Sequence, residues 1–241
     1  MRETLLLLPG LLCDDVVWRD QAEALDQRYD VIVARLTDFS SITAMAHASL
    51  ALAPGRLSVA GHSMGARVAL EMFRLAPDRV ARLALLDTGV HPVSAAEPGR
   101  RQQMIDLART EGMAALADHW LPPMVKDGAL DRDPALDAAL RAMVSRTSPE
   151  IHERQITALL GRRDAAPLLA TIRCPVLIGV GRHDAWSPPE QHAAIAAAIP
   201  QARYVIFEDS GHMAPMEAPQ AVTGALTEWM LQPATIPQEP A

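Results

Sequence analysis

Positive charge is in short supply. Lysine and arginine total 22 against 29 aspartates and glutamates, a formal net charge of -7. No net basic field gathers phosphates, so neither nucleic acid nor an anionic membrane is an expected partner. Cysteine is scarcer still: Cys13 and Cys174 alone build no disulfide framework. That fits a reducing compartment, with the cytoplasm as the default expectation. Aromatic residues make up 4% of the chain, so the core must be aliphatic. No apolar run is long enough to span a bilayer. The run Leu5 to Leu8 with Leu11-Leu12-Cys13 is too short for a secretory signal, Glu3 breaks the positive leader, and no small-residue cleavage site follows. No P-loop, no G-x-G-x-x-G after a strand and no zinc-spaced Cys or His cluster is present, so no cofactor or metal is expected.

What the chain has is length and aliphatic patterning. Its 241 residues, 49% hydrophobic, suffice for one α/β domain, or for a core plus an inserted subdomain. Thr4 to Leu8 is a continuous apolar run stopped by Pro9-Gly10, the pattern of a parallel strand buried on both faces. Strands are expected again at Tyr29 to Ala34, Leu57 to Ala60, Arg82 to Leu86, Val176 to Val180 and Arg203 to Phe207. Helices alternate with them: one carries Trp18, Ala22 and Leu25, and others run from Ile42 to Leu52 and from Met64 to Ala76. Two more run from Ser187-Pro188-Pro189-Glu190 to Ala198, where Ser187 reads as the cap, and from Gln220 to Leu231. Such alternation implies an open, mostly parallel sheet of about six strands with helices on both faces.

The alternation breaks between His91 and Leu169. Four amphipathic helical patterns follow one another there: Arg100 to Arg109, Met113 to Trp120, Pro134 to Ser145 and Pro149 to Leu160. The division expected is a core formed by residues 1–90 and 168–231, a helical insertion at 91–167, and a flexible tail at 232–241.

Chemistry concentrates at the strand ends. Gly61-His62-Ser63-Met64-Gly65, between a strand and a helix, matches the G-x-S-x-G nucleophile elbow. A sharp bend there lifts the Ser63 hydroxyl clear, and residues without Cβ bulk let backbone pass backbone. A serine needs a base, and the base an orienting acid. His212 follows the last expected strand and Asp184 the one before it. The order Ser63, Asp184, His212 is the one expected with this elbow. Asp87 also ends a strand and is the rival acid. The oxyanion formed on attack needs preorganised N–H donors, for which the backbones of Leu11 and Met64 are the candidates.

These pieces resemble the α/β-hydrolase fold family, in its serine hydrolase branch with a helical cap. The resemblance rests on Leu8-Pro9-Gly10-Leu11, on the elbow, on Pro175 through Asp184, and on Gly211-His212-Met213-Ala214-Pro215-Met216-Glu217-Ala218-Pro219. Two departures stand out: Pro9-Gly10 replaces the His-Gly of many members, and no hairpin precedes the first parallel strand. The resemblance implies cleavage of a small carboxylic ester through an acyl-serine. A carbon–carbon bond hydrolase or lactonase of aromatic catabolism is the alternative, and a ligand-binding receptor on the same fold is the alternative from another class. The expected partner is a small acyl compound.

Plainer readings compete at several residues. His119, Trp120 and Met124 of the insert, with Trp186 and Met213, are candidates to line the substrate pocket; each could equally pack the insert or core. His62 reads as a local packing residue, and His47, His152 and His192 as surface residues on helices. Cys13 reads as a small packing residue, and Arg162-Arg163-Asp164 as a salt-bridged surface turn. The Arg and Glu residues of the insert helices read mostly as solvated faces.

Overall fold

A computed structural model of the chain describes residues 2–234; most of the expected flexible tail, residues 235–241, lies outside the described residues. Six strands form one sheet in the order β2-β1-β3-β4-β5-β6, every neighbouring pair parallel. They are β1 (Thr4–Leu8), β2 (Asp30–Val33), β3 (Leu57–His62), β4 (Val80–Leu86), β5 (Val176–Gly181) and β6 (Ala202–Phe207). The strands β3, β4 and β5 are buried throughout, as expected of central strands covered on both faces. The edge strands β2 and β6 are only half-buried.

Handedness places the helices. From β1 the chain crosses outward through α1 (Arg19–Leu25) to β2, then reverses through α2 (Ile42–Leu50) to β3. Right-handed crossovers in opposite directions put α1 and α2 on opposite faces. The helix α3 (Met64–Leu75) continues in the second direction and packs on α2. Between β4 and β5 lie α4 (Glu97–Trp120), α5 (Ala129–Arg132), α6 (Pro134–Ser145), α7 (Pro149–Leu160) and α8 (Ala166–Leu169). Gly112, with φ 87°, breaks α4 into the two helical stretches expected from its pattern. The helices α6 and α7 both pack on α4. After β5 come α9 (Pro189–Ala197), and after β6 the short α10 (Ala214–Glu217) and α11 (Pro219–Met230), which packs on α1.

The core is aliphatic, with Trp18, Trp229 and Phe207 among its few fully buried aromatics. Register aligns the carboxyl ends of the strands: Leu8 faces Gly61, His62 faces Leu86, and Leu86 faces Gly179. That rim is where ligands bind in open α/β sheets. Among the described residues, no helix is long and apolar enough to cross a membrane.

Candidate active site

The rim is built around Ser63. Its backbone holds φ 54° and ψ −113°, a strained conformation for a residue with a Cβ. The bend is as tight as the sequence implies. A Cβ at Gly61 would come within 2.4 Å of the Ala66 nitrogen, and one at Gly65 within 2.0 Å of the Leu8 carbonyl oxygen. Ser63 N–H donates to the Leu86 carbonyl at 2.9 Å, and Thr88 Oγ1 donates to the Ser63 carbonyl at 2.9 Å. The bend is thus fixed from β4, while α3 opens at Met64 and directs the positive end of its dipole at the serine.

The turns after β5 and β6 bring Asp184 and His212 to the same place. Ser63 Oγ lies 2.8 Å from His212 Nε2, and His212 Nδ1 lies 2.8 Å from Asp184 Oδ2. With Nδ1–H donated to the carboxylate, Nε2 is left as the acceptor for the serine hydroxyl. Asp184 is held by three further donors: the Trp186 and Ser187 N–H groups on Oδ1, at 2.9 and 2.8 Å, and Ser187 Oγ on Oδ2, at 2.9 Å. Burial pushes the Asp184 carboxyl upward, but His212 and these donors outweigh it and hold the group below the usual carboxylate range.

Asp87 does not reach His212. Its Oδ1 accepts the Gly181 N–H at 2.9 Å, and its Oδ2 has no partner among the described residues. Burial, and then the neighbouring Asp184 charge, push its carboxyl well above the usual range. The geometry therefore places Asp184, not Asp87, against His212, while Asp87 bonds from the end of β4 across to Gly181 of β5.

Expectations about three side chains close to this line of residues are overturned, with two more at the cavity described below. Ser187 does not cap α9, which starts at Pro189 after Pro188; its hydroxyl turns to Asp184 instead. His152 and His192 are buried rather than on the surface. His192 Nε2 accepts the Thr88 N–H at 2.8 Å, behind the elbow, while burial brings the His152 imidazole down to about 4.

The N–H of Met64 is free of an intrahelical partner because it is the first residue of α3. Leu11 lies across from it on the loop after β1, and both residues line the same cavity as Ser63. The next residue, Leu12, is held at φ 59°, and its N–H is already donated to Gln155 Oε1 of α7 at 3.0 Å. Gln155 is fully buried, and no local pattern singled it out. His62 clasps the other side: its Nε2 lies 2.7 Å from the His212 carbonyl oxygen. Burial, then the nearby His212, bring His62 down to about 3, so it is a neutral donor.

A cavity of about 490 Å³ opens above Ser63. Among the expected lining residues, His119, Trp120, Met124 and Trp186 border it, Trp186 at the mouth with 55% of its surface exposed. Met213 does not border it. The turn after His212 sends the Met213 side chain into the core, and its N–H donates to the Met124 carbonyl. The larger omission is cationic. Arg67, Arg100, Arg101 and Arg162 also line the cavity. Arg162 is buried and paired with Glu97 of α4, not part of a surface turn, because α4 and α7 pack together and enclose it. Cys13 is buried, with its thiol pushed up by burial, as befits a packing residue.

A doubly wound parallel sheet with a nucleophile elbow after its third strand defines the class. The sequence model of the alpha/beta hydrolase family matches residues 5–225, and the chain belongs to that family. It is similar to a thermophilic esterase from Thermogutta terrifontis, solved with malate bound. The identity is 30%, 97% of this chain and 91% of that one are covered, and the TM-score is 0.86. It is similar also to the enol-lactonase of Burkholderia xenovorans, at 26% identity over 96% of this chain and 92% of that one, with a TM-score of 0.85. The pimeloyl-acyl-carrier-protein methyl ester esterase of Nitrosomonas europaea is 27% identical over 86% of this chain and 88% of its own length. The protein is a hydrolase.

Proposed function

We propose that the protein is a serine hydrolase that cleaves a small carboxylic ester through an acyl-serine. What carries the reading is one continuous hydrogen-bonded line: Ser63 Oγ to His212 Nε2 at 2.8 Å, and His212 Nδ1 to Asp184 Oδ2 at 2.8 Å. Ser63 Oγ attacks the carbonyl carbon while His212 Nε2 takes its proton. Asp184 holds the tautomer and stabilises the imidazolium. The Leu11 and Met64 N–H groups receive the oxyanion. Collapse expels the alcohol, protonated by His212, and leaves acyl-Ser63. Water, deprotonated by His212, then releases the acid. The helices between β4 and β5 act as the cap that shapes the acyl site.

Lactone cleavage is the second reading. It uses the same groups and is favoured by the cationic cavity wall and by the likeness to an enol-lactonase. Hydrolysis of short p-nitrophenyl esters tests the main reading. Ser63→Ala should reduce kcat/KM by about 10⁴-fold or more. A fluorophosphonate should label Ser63 in the native protein; absence of labelling would favour a receptor on this fold.

A further inference from the structure

The far wall of the cavity holds more positive charge than its own carboxylate neutralises. Arg162 is saturated. Its Nη1 and Nη2 grip Glu97 at 2.8 and 2.6 Å, and its remaining N–H groups go to the carbonyls of His91, Pro92 and Leu159. Glu97 also takes Arg101, through Nε at 2.8 Å and Nη2 at 2.7 Å, which leaves the Arg101 Nη1 donors open among the described residues. Arg67 has no carboxylate at all: among the described residues its guanidinium donates only to the His91 carbonyl, at 3.1 Å. Arg67, Arg101 and Arg162 thus have one carboxylate, Glu97, between them, and Arg100 adds a fourth guanidinium to the cavity lining. The Arg101 and Glu97 side chains are only 12% and 11% exposed, so solvent does little to offset the excess. Burial, and then the Arg162 charge, pull the Arg67 guanidinium down to about 9. His91 and His152 share the wall, and burial lowers both, so neither adds to its positive charge.

Arg67 also stands in a fixed relation to the reacting centre. It lies four residues after Ser63, hence on the same face of α3 and about 6 Å along it. We propose that Arg67 and Arg101 form a carboxylate subsite, and that the substrate is an ester carrying a second carboxylate a few bonds from the scissile carbonyl. A carboxylate there would take the open N–H donors of both guanidiniums in charge-assisted bonds. The inference rests on the serine-hydrolase reading of the same cavity.

The test compares monomethyl with dimethyl esters of succinate, glutarate and adipate, read as kcat/KM, with p-nitrophenyl acetate as the neutral reference. At least one half-ester should be preferred over its diester by about tenfold or more. That preference should collapse in Arg67→Met and Arg101→Met and be partly retained in Arg67→Lys and Arg101→Lys, which keep the charge. Turnover of p-nitrophenyl acetate with no half-ester preference would overturn the subsite and leave the hydrolase reading standing. No turnover of any ester would overturn the hydrolase reading instead. Titration of Ser63→Ala with glutarate then judges the subsite alone. Binding that Arg67→Met weakens about tenfold supports it, and no binding, or binding indifferent to Arg67, refutes it.

Discussion

His62 Nε2 and the backbone carbonyl of His212 are 2.7 Å apart, which ties the residue before the elbow serine to the histidine loop. The two residues are 150 positions apart in sequence, yet this bond holds the backbone of the residue whose imidazole lies 2.8 Å from Ser63 Oγ. Since burial brings His62 down to about 3, it stays a neutral donor at any pH where the enzyme is assayed. Replacing it by phenylalanine would leave a buried carbonyl unsatisfied, at a cost of about 1–3 kcal/mol. We expect His62→Phe to lower kcat by about one order of magnitude or more, with a smaller effect on KM. Steady-state kinetics on a p-nitrophenyl ester would read the split.

Asp184 and Asp87 give opposite expectations. Asp184 accepts from His212 and three other donors, whereas among the described residues Asp87 accepts only from Gly181. An amide at 184 presents the wrong partner to His212 Nδ1–H, and such changes reduce kcat by about 10⁴-fold. Asp184→Asn should therefore cost at least about a hundredfold more kcat/KM than Asp87→Asn. Equal losses would mean that the acid is misassigned.

Gln155 reaches from α7 to the Leu12 N–H and holds the loop that carries Leu11. Gln155→Met keeps the bulk and removes the acceptor. The expected result is a fall in kcat of about tenfold with KM little changed, because oxyanion binding matters most in the transition state. A boronic acid inhibitor should bind correspondingly more weakly, while a ground-state product acid should not.

Glu217 carries a pH signature. Its two carboxylate oxygens accept the Lys126 and Gly211 N–H groups at 2.7 and 2.9 Å, joining the histidine loop to the segment after Met124. Burial nevertheless pushes the group from 4.5 to about 7. A carboxyl raised on folding favours the folded state below its unfolded pKa, and that contribution is lost as pH rises through the folded value. Tm should thus fall between about pH 4.5 and 7 by more in the wild type than in Glu217→Gln. Parallel melting curves across that range would refute the assignment.

Much of the frame was legible because its signals are local. Continuous apolar runs such as Thr4 to Leu8 require strands covered on both faces. Proline and glycine punctuation marks their ends within one or two residues. The elbow is readable because its steric demand falls on three adjacent positions, Gly61, Ser63 and Gly65. A parallel sheet then carries Ser63, Asp184 and His212 to one rim whatever the intervening chain does. The insert was legible in its helices but not in its faces. Arg162 and Glu97 are 65 residues apart and look like ordinary surface charges until α4 and α7 pack together. Ser187 reads as a helix cap by its neighbours, but a buried carboxylate beside it is the stronger partner.

The amino-acid sequence by itself determined the doubly wound sheet, the strained serine and the chain order of its partners, since backbone sterics and hydrophobic periodicity act between near neighbours. Tertiary packing alone decided that Asp184 rather than Asp87 meets His212, and that Met213 turns inward. It alone gave the cavity a wall of arginines, because burial and hydrogen-bond competition among distant side chains exist only once the helices have docked.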